Sequence, residues 1–332
     1  MSARVKPPAL PESATIAVVA PASPLRTRSG IEQATAYFEA RGHSVVFGPH
    51  HREVHGYLAG TDEQRASDLQ WALSEPGIDM VHAQEGGYGT ARLYDLIDWQ
   101  ALGEPRIVCG YSDITALHLA LAAHAGWVTF HGPNFVRFTR QKGEWELRKE
   151  TETWFHRAFQ PDPLGRVFED PRNPYVLTVG EGVAEAPLVG GNLTLLAASL
   201  GTPYEVQTEG CIVMVEDLNT DTYLIDTALN QLIRAGKLHD AAGFVFGTDV
   251  NLKSQTIPEE TESTLSIEEI LDELIGPLGI PAIANVPVGH GRDMATMPLG
   301  ATARLDGGGK TLEVMEAAVV PARDRTTEGV SA

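Results

Sequence analysis

Short apolar runs alternate with amphipathic helical stretches along most of the chain. "ATIAVVAP" (14–21) reads as a buried strand, "GIEQATAYFEARG" as a helix stopping at Gly42, and "SVVFGP" as the next strand. "TDEQRASDLQWALSEPG" opens on Thr61 with Gln64 three residues later, the spacing of a capping box. "IDMVHAQ" is then a strand, "TARLYDLID" a helix, "RIVCGYS" a strand, "DITALHLALAAHAG" a helix and "WVTFHG" a strand. Buried strands separated by helices imply a parallel sheet covered on both faces.

The pattern weakens after Pro133. "EWELRKETETWFHRAF" predicts a helix, but "QPDPLGRVFEDPRNPY" is rich in proline and charge and reads as a linker or an excursion over a site. Regular alternation resumes at "PLVGGNLTLLAASLG". Strands follow at "CIVMVED", "AAGFVFGTD" and "PAIANVPVG", helices at "TYLIDTALNQLIRAG" and "SIEEILDELIGPLG", and a terminal hairpin at "ATARLDGGGKTLEVME". The expected organisation is a loose leader over 1–13, an α/β domain over 14–135, an excursion over 136–185 and a second α/β domain over 186–332. A chain of 332 residues fits two cores better than one.

Composition changes this picture little. The net charge of −19 argues against nucleic acid, whose phosphates would be repelled, and gives no reason to expect an anionic membrane surface. Cys109 and Cys211 each sit inside an apolar run, which suggests a reducing compartment rather than a disulfide scaffold. No run has transmembrane length and the leader is not a convincing signal peptide, so the expected location is cytoplasmic.

Ligands of open α/β sheets bind beyond the carboxyl ends of strands. Three such ends carry chemistry: Ser112 closes "RIVCGYS", Glu216 closes "CIVMVE" and His290 closes "PAIANVPVGH". A serine hydroxyl becomes a useful nucleophile when an imidazole removes its proton, and the imidazole needs a carboxylate on its other nitrogen. A strand-to-helix turn at Ser112 would also place the Asp113 amide at a helix N-terminus, as an oxyanion donor. The same residues have plainer readings. Ile114 replaces the second glycine of G-x-S-x-G, and Ser-Asp before a helical run is an ordinary N-cap. Glu216 and His290, each alone, read as a solvated strand end and a turn residue beside Gly289 and Gly291.

"EGGYGTARL" (Glu85 to Leu93) places glycines after a strand, where a second oxyanion amide at Gly87 and a tight turn are equally good readings. "GGNLTLL" is similar. "PHHREVH" has suggestive histidine spacing but no arranged partners, so no metal is expected there. His118, on a helix among leucines, reads as a core or flank histidine.

Several segments together resemble a known family. "VAPASP", "YLAGTDEQRASDL", "GGYGTARL", "GYSDITALHLAL", "TFHGP", "PLVGGNLTLLAASLGTPYE", "VEDLNTDTYLID", "LNQLIRAG" and "VPVGHGRDMATMPLGATARLDG" occur in this order from about residue 14 to 316. They are similar to the LD-carboxypeptidases of serine peptidase family S66, which includes the microcin C self-immunity proteins. The resemblance implies a Rossmann-like parallel-sheet domain, a C-terminal α/β domain with a partly barrel-like sheet, and a homodimer. It implies a triad of Ser112, Glu216 and His290, with oxyanion amides near Gly87 and at Asp113. Glu85, Gly86, Tyr88 and Asn192 are the candidate substrate-binding residues. No cofactor and no metal are implied.

The family holds two substrate classes, cell-wall tetrapeptides that lose D-alanine and aminoacyl-nucleotide amides. Glu85 and Thr227 stand where the carboxypeptidases commonly carry arginine, which weighs against recognition of a D-alanine carboxylate. The long 135–182 segment looks more like the immunity branch, with Phe168 or Tyr175 in place of its stacking tryptophan. The expected activity is therefore an immunity-type amidase, with a muropeptide carboxypeptidase as the alternative. An inactive ligand-binding protein is the reading from outside the enzymes. An α/β-hydrolase fold and a nicotinamide enzyme are disfavoured by missing G-x-S-x-G and dinucleotide signatures.

Overall fold

The structure, a computed structural model, describes residues 4–25, 28–139, 147–168, 175–248 and 265–322. The first half alternates β1 (Thr15–Val19), α1 (Arg28–Glu39), β2 (Ser44–Phe47), α2 (Asp62–Ser74), β3 (Met80–Ala83), β4 (Ile107–Gly110), α3 (Thr115–His124) and β5 (Thr129–His131). α4 (Lys149–Ala158), β6 (Gly165–Arg166) and β7 (Leu177–Gly180) follow. The second half contains β8 (Val183–Asn192), α5 (Leu193–Ser199), β9 (Ile212–Glu216), α6 (Thr222–Arg234), β10 (Gly243–Gly247), α7 (Ile267–Leu274), β11 (Ala282–Val286), β12 (Met297–Leu299), β13 (Thr302–Asp306) and β14 (Thr311–Val314).

The first sheet has the order β12-β5-β4-β3-β1-β2, parallel except at β12. β3, β4 and β5 are buried at every residue, as unbroken apolar runs require when helices cover both faces. The second sheet runs β6-β14-β13-β8-β9-β10-β11-β7, with a parallel centre from β8 to β11 and antiparallel flanks. It curls without closing. The β13–β14 turn approaches β7, where Gly307 N donates to Gly182 O at 2.9 Å and Thr178 Oγ1 donates to Gly307 O at 2.7 Å. That is the extent of its barrel character.

The capping box at Thr61 and Gln64 forms, and α2 starts on it. Three expectations need correction. The leader is not loose where it is described: Val5 bridges to Trp127 and Pro8 to Val320, and Ala9 is buried. "TARLYDLID" forms a 3-10 turn over Thr90–Leu96 rather than an α-helix. β12, from the C-terminal segment, pairs with β5 and so completes the first sheet. Among the described residues, no helix is long and apolar enough to cross a membrane.

Candidate active site

The turn after β4 is built around its backbone. Ser112 has φ +65°, a left-handed conformation rare for a residue with a Cβ and costing about 1–3 kcal/mol. A Cβ at Gly110 would lie 2.9 Å from both Ile114 Cγ1 and Cγ2 and 2.8 Å from Ala83 Cβ. The glycine two residues before the serine is therefore needed because Ile114 packs over it. Ile114 fills the space where the usual signature has its second glycine.

The N-cap reading of Ser112 fails. The serine begins a 3-10 turn (Ser112–Ile114) that leads into α3, and neither segment has a side-chain cap hydrogen bond. Asp113 turns inward: its Oδ2 accepts from Thr90 N at 2.8 Å, tying the elbow to the glycine-rich loop. Burial pushes its carboxyl above the usual range, while hydrogen bonds from Thr90 and from Gly89 N–H pull it back. Among the described residues, no acceptor is paired with the main-chain N–H of Gly87 or Asp113.

The glycine loop lies against the serine, since a Cβ on Gly86 would sit 2.9 Å from Ser112 Cβ. Three residues that sequence reasoning left without roles hold this loop. Ser23, in "VAPASP", donates its N–H to Gly86 O at 3.2 Å and accepts from Tyr88 N at 3.2 Å. Arg65 is buried and donates to Gly89 O at 2.9 Å and to Pro21 O. Asn134 accepts from Tyr111 N at 3.1 Å and stands beside Gly86. The only sequence signal for Ser23 was its place in a matching segment.

Glu216 ends β9 as expected, but it is fully buried rather than solvated. His290 needs a correction: β11 stops at Val286, so the histidine lies four residues past the strand, in the 287–296 loop. His290 Nδ1 is 2.5 Å from Glu216 Oε2. A carboxylate only accepts, so the imidazole donates from Nδ1 and its Nε2 is left as the basic nitrogen. Gly289 (φ +85°) allows the loop to lie on the carboxylate, because a Cβ there would fall 2.5 Å from Glu216 Oε2. The excursion braces the same loop: Arg148 pairs with Asp293 at 2.5 Å, and Thr151 Oγ1 accepts from Met294 N at 2.9 Å.

α3 joins the two halves. Thr115 Oγ1 accepts from Asn192 N at 2.9 Å, and Asn192 pairs in register with Glu216. The Tyr111 ring, next to Ser112, lies 4.6 Å from the His290 ring. The elbow and the Glu216–His290 pair thus meet at the carboxyl ends of both sheets. No hydrogen bond joins Ser112 Oγ to His290 among the described residues, and catalytic hydrogen bonds often form only with substrate in place.

The remaining candidates separate. Asn192 is not aimed at a ligand: it caps α5 through Leu195 N and donates to Asp217 Oδ1 at 3.2 Å. Glu85 is half-buried, and its charge reaches the Tyr111 hydroxyl, as does that of Arg137. Tyr88 is exposed and stands edge-on to Tyr57 at 5.6 Å. Phe168 is packed in the core and cannot stack on a ligand, whereas Tyr175 is exposed. Thr227 donates its hydroxyl back to Tyr223 O on its own helix. His118 is a core histidine with a task, its Nε2–H donating to Gly110 O at 2.9 Å below the elbow.

A serine on a left-handed turn, glycine amides beside it and a buried carboxylate–imidazole pair together define a serine hydrolase of two α/β units. The chain belongs to the LD-carboxypeptidase family of serine peptidases: residues 16–132 match its N-terminal domain and residues 185–305 its C-terminal domain. It is a serine-type carboxypeptidase hydrolase by that membership. It is 36% identical to a probable murein peptide carboxypeptidase of Bacillus subtilis, over 96% of each chain. A solved muramoyltetrapeptide carboxypeptidase from Oxalobacter formigenes superposes with TM-score 0.75 at 28% identity, covering 90% of this chain and 97% of that one. MccF in complex with glutamyl sulfamoyl guanosine superposes with TM-score 0.84 at 19% identity, covering 95% and 99%.

Proposed function

We propose that the protein hydrolyses an amide through a Ser112 acyl-enzyme and that its substrate is a short peptide of the murein type. One observation carries the chemistry: the short Glu216–His290 contact beside a serine held at positive φ. His290 Nε2 takes the Ser112 proton as Oγ attacks the carbonyl, and Glu216 stabilises the imidazolium. The Gly87 and Asp113 amides receive the oxyanion. His290 then protonates the leaving amine, and water hydrolyses the ester. The units 14–135 and 186–332 supply the nucleophile and the Glu–His pair respectively.

The near full-length similarity to a murein peptide carboxypeptidase supports the peptide substrate. Burial of Phe168 removes one side chain on which the aminoacyl-nucleotide reading relied. That reading keeps Glu85, which replaces a carboxylate-binding arginine, and the MccF-like fold. Two buried free cysteines support a cytoplasmic location, and the family resemblance supports a homodimer.

A paired turnover assay separates the substrates, with Ser112→Ala protein as the blank. L-Ala-D-Glu-meso-diaminopimelate-D-Ala is expected to release D-alanine, and an aminoacyl sulfamoyl adenosine is expected to stay intact. Cleavage of the adenosine compound alone would reverse the assignment. Turnover of neither would favour an inactive binding protein.

Gly289→Ala is expected to cut turnover by about a hundredfold, because the new methyl displaces the carboxylate by a large fraction of an ångström or more. Turnover measured beside a thermal melt checks this. Near-normal turnover would show that the loop can accommodate a Cβ without moving Glu216.

A further inference from the structure

We propose that His131 is a second imidazole on the Glu216 carboxylate: from its Nε2–H it holds Oε1, and it thereby positions the Glu216–His290 pair. The inference rests on the triad reading above. His131 ends β5, in register with Gly110 of the elbow strand and with Met297 of β12. Its side chain is wholly buried, and among the described residues neither ring nitrogen has a hydrogen-bond partner. Glu216 Oε1 is also buried and without a hydrogen bond among the described residues, and it lies 3.7 Å from His131 Nε2.

Two buried polar groups left unmatched this close together are costly unless they face each other with opposite sign. A carboxylate oxygen can only accept. The Nε2–H tautomer therefore turns a favourable dipole toward it, whereas the Nδ1–H tautomer would set a lone pair against a negative charge. At 3.7 Å the contact is longer than a hydrogen bond, but a dipole at that distance is weakly screened in a dry interior. Glu216 is then held on both oxygens, by His290 on Oε2 and by His131 on Oε1.

The charge state suits this task. Burial, with His118 and His290 nearby, pushes the His131 imidazolium well below the ordinary histidine range, so the ring is neutral. A protonated His131 would neutralise the carboxylate that His290 needs. A neutral one orients the carboxylate and leaves its charge in place. The other ionisable groups around the cluster are Cys109 and Tyr111 on and after β4, His118 of α3, Arg137, Glu85 and Asp217. All are left unchanged in the test below.

The first test needs no variant: nitrogen-15 NMR of the histidine rings in the wild-type protein. His131 is expected as the Nε2–H tautomer, and the Nδ1–H tautomer would overturn the proposal whatever the activity. The second test follows the rate of Ser112 labelling by a fluorophosphonate against pH, in wild type, His131→Phe and His131→Gln. Phenylalanine fills the space without a donor, and glutamine returns an N–H near the Nε2 position.

His131→Phe is expected to slow labelling about tenfold to a hundredfold. Its acid limb should move to higher pH, because a carboxylate relieved of one donor stabilises the His290 imidazolium more strongly. His131→Gln should restore both. A wild-type rate and limb in His131→Phe would sink the idea, as would a loss that glutamine does not rescue. If His131→Phe does not fold, His131→Asn replaces it, since the shorter amide does not reach Oε1. Failure of the triad itself reads differently: labelling would then persist in Ser112→Ala, while the tautomer result stands alone.

Discussion

Ser112→Ala is expected to lower turnover by about a thousandfold or more, and His290→Ala by a similar amount. The two should not add. The hydroxyl and the imidazole act in one step, so the double variant should be scarcely slower than either single one. Substrate affinity should change little, because both groups act on the bond being formed rather than on distant parts of the peptide. Ser112→Ala should leave stability nearly unchanged, since alanine at φ +65° carries the same backbone cost and the serine is only half-buried. Steady-state kinetics on the substrate that turns over, with a thermal melt of each variant, checks all of this. Near-normal turnover in either single variant would remove that residue from the mechanism.

Acid should unfold the protein through histidines that never touch substrate. His82 donates from Nε2 to Pro133 O at 2.8 Å, and His118 does the same to Gly110 O at 2.9 Å. Burial pushes each down to about 4 from the ordinary 6.5, against the opposing effect of those carbonyls. In the unfolded chain both rings protonate near pH 6.5, while in the folded chain they stay neutral. The unfolded state therefore binds more protons below pH 6.5, and stability falls as pH falls from 6.5 toward 4. Each ring contributes roughly 3 kcal/mol over that window. The two together rival the net stability of an ordinary domain, about 5–15 kcal/mol.

Urea unfolding between pH 7.5 and 4.5 should show the loss beginning near 6.5. His118→Gln, which keeps a donor near Gly110 O but does not titrate, should make the dependence shallower by about one proton. Stability independent of pH from 6.5 to 5 would contradict the neutral buried assignment.

Much of the molecule was legible in order of residues alone. Unbroken apolar strands such as "IVCG" and "CIVMV" required parallel sheets covered on both sides, because a half-exposed strand would alternate. Thr61 with Gln64 announced α2, since the capping box is made by residues three apart. The three chemical groups were visible because local patterns place Ser112 and Glu216 at strand ends and His290 in the loop that follows one, and that edge is where open sheets bind ligands.

The exceptions have one cause. Ser112 as cap or elbow could not be decided from Ser-Asp before a helix; it turned on Asp113 finding Thr90 N, 23 residues back in the chain. Ile114 looked like a broken signature until its packing over Gly110 was visible. Asn192 looked like a ligand group because nothing local shows that Asp217, 25 residues further on, already occupies its amide. For Ser23, Arg65, Asn134 and His131, no local pattern shows what each one holds. Residue order determined the strands, the caps and the kinds of chemistry available. Which side chains meet was decided by contacts between distant segments, whose partners are chosen by burial and hydrogen bonding and not by spacing along the chain.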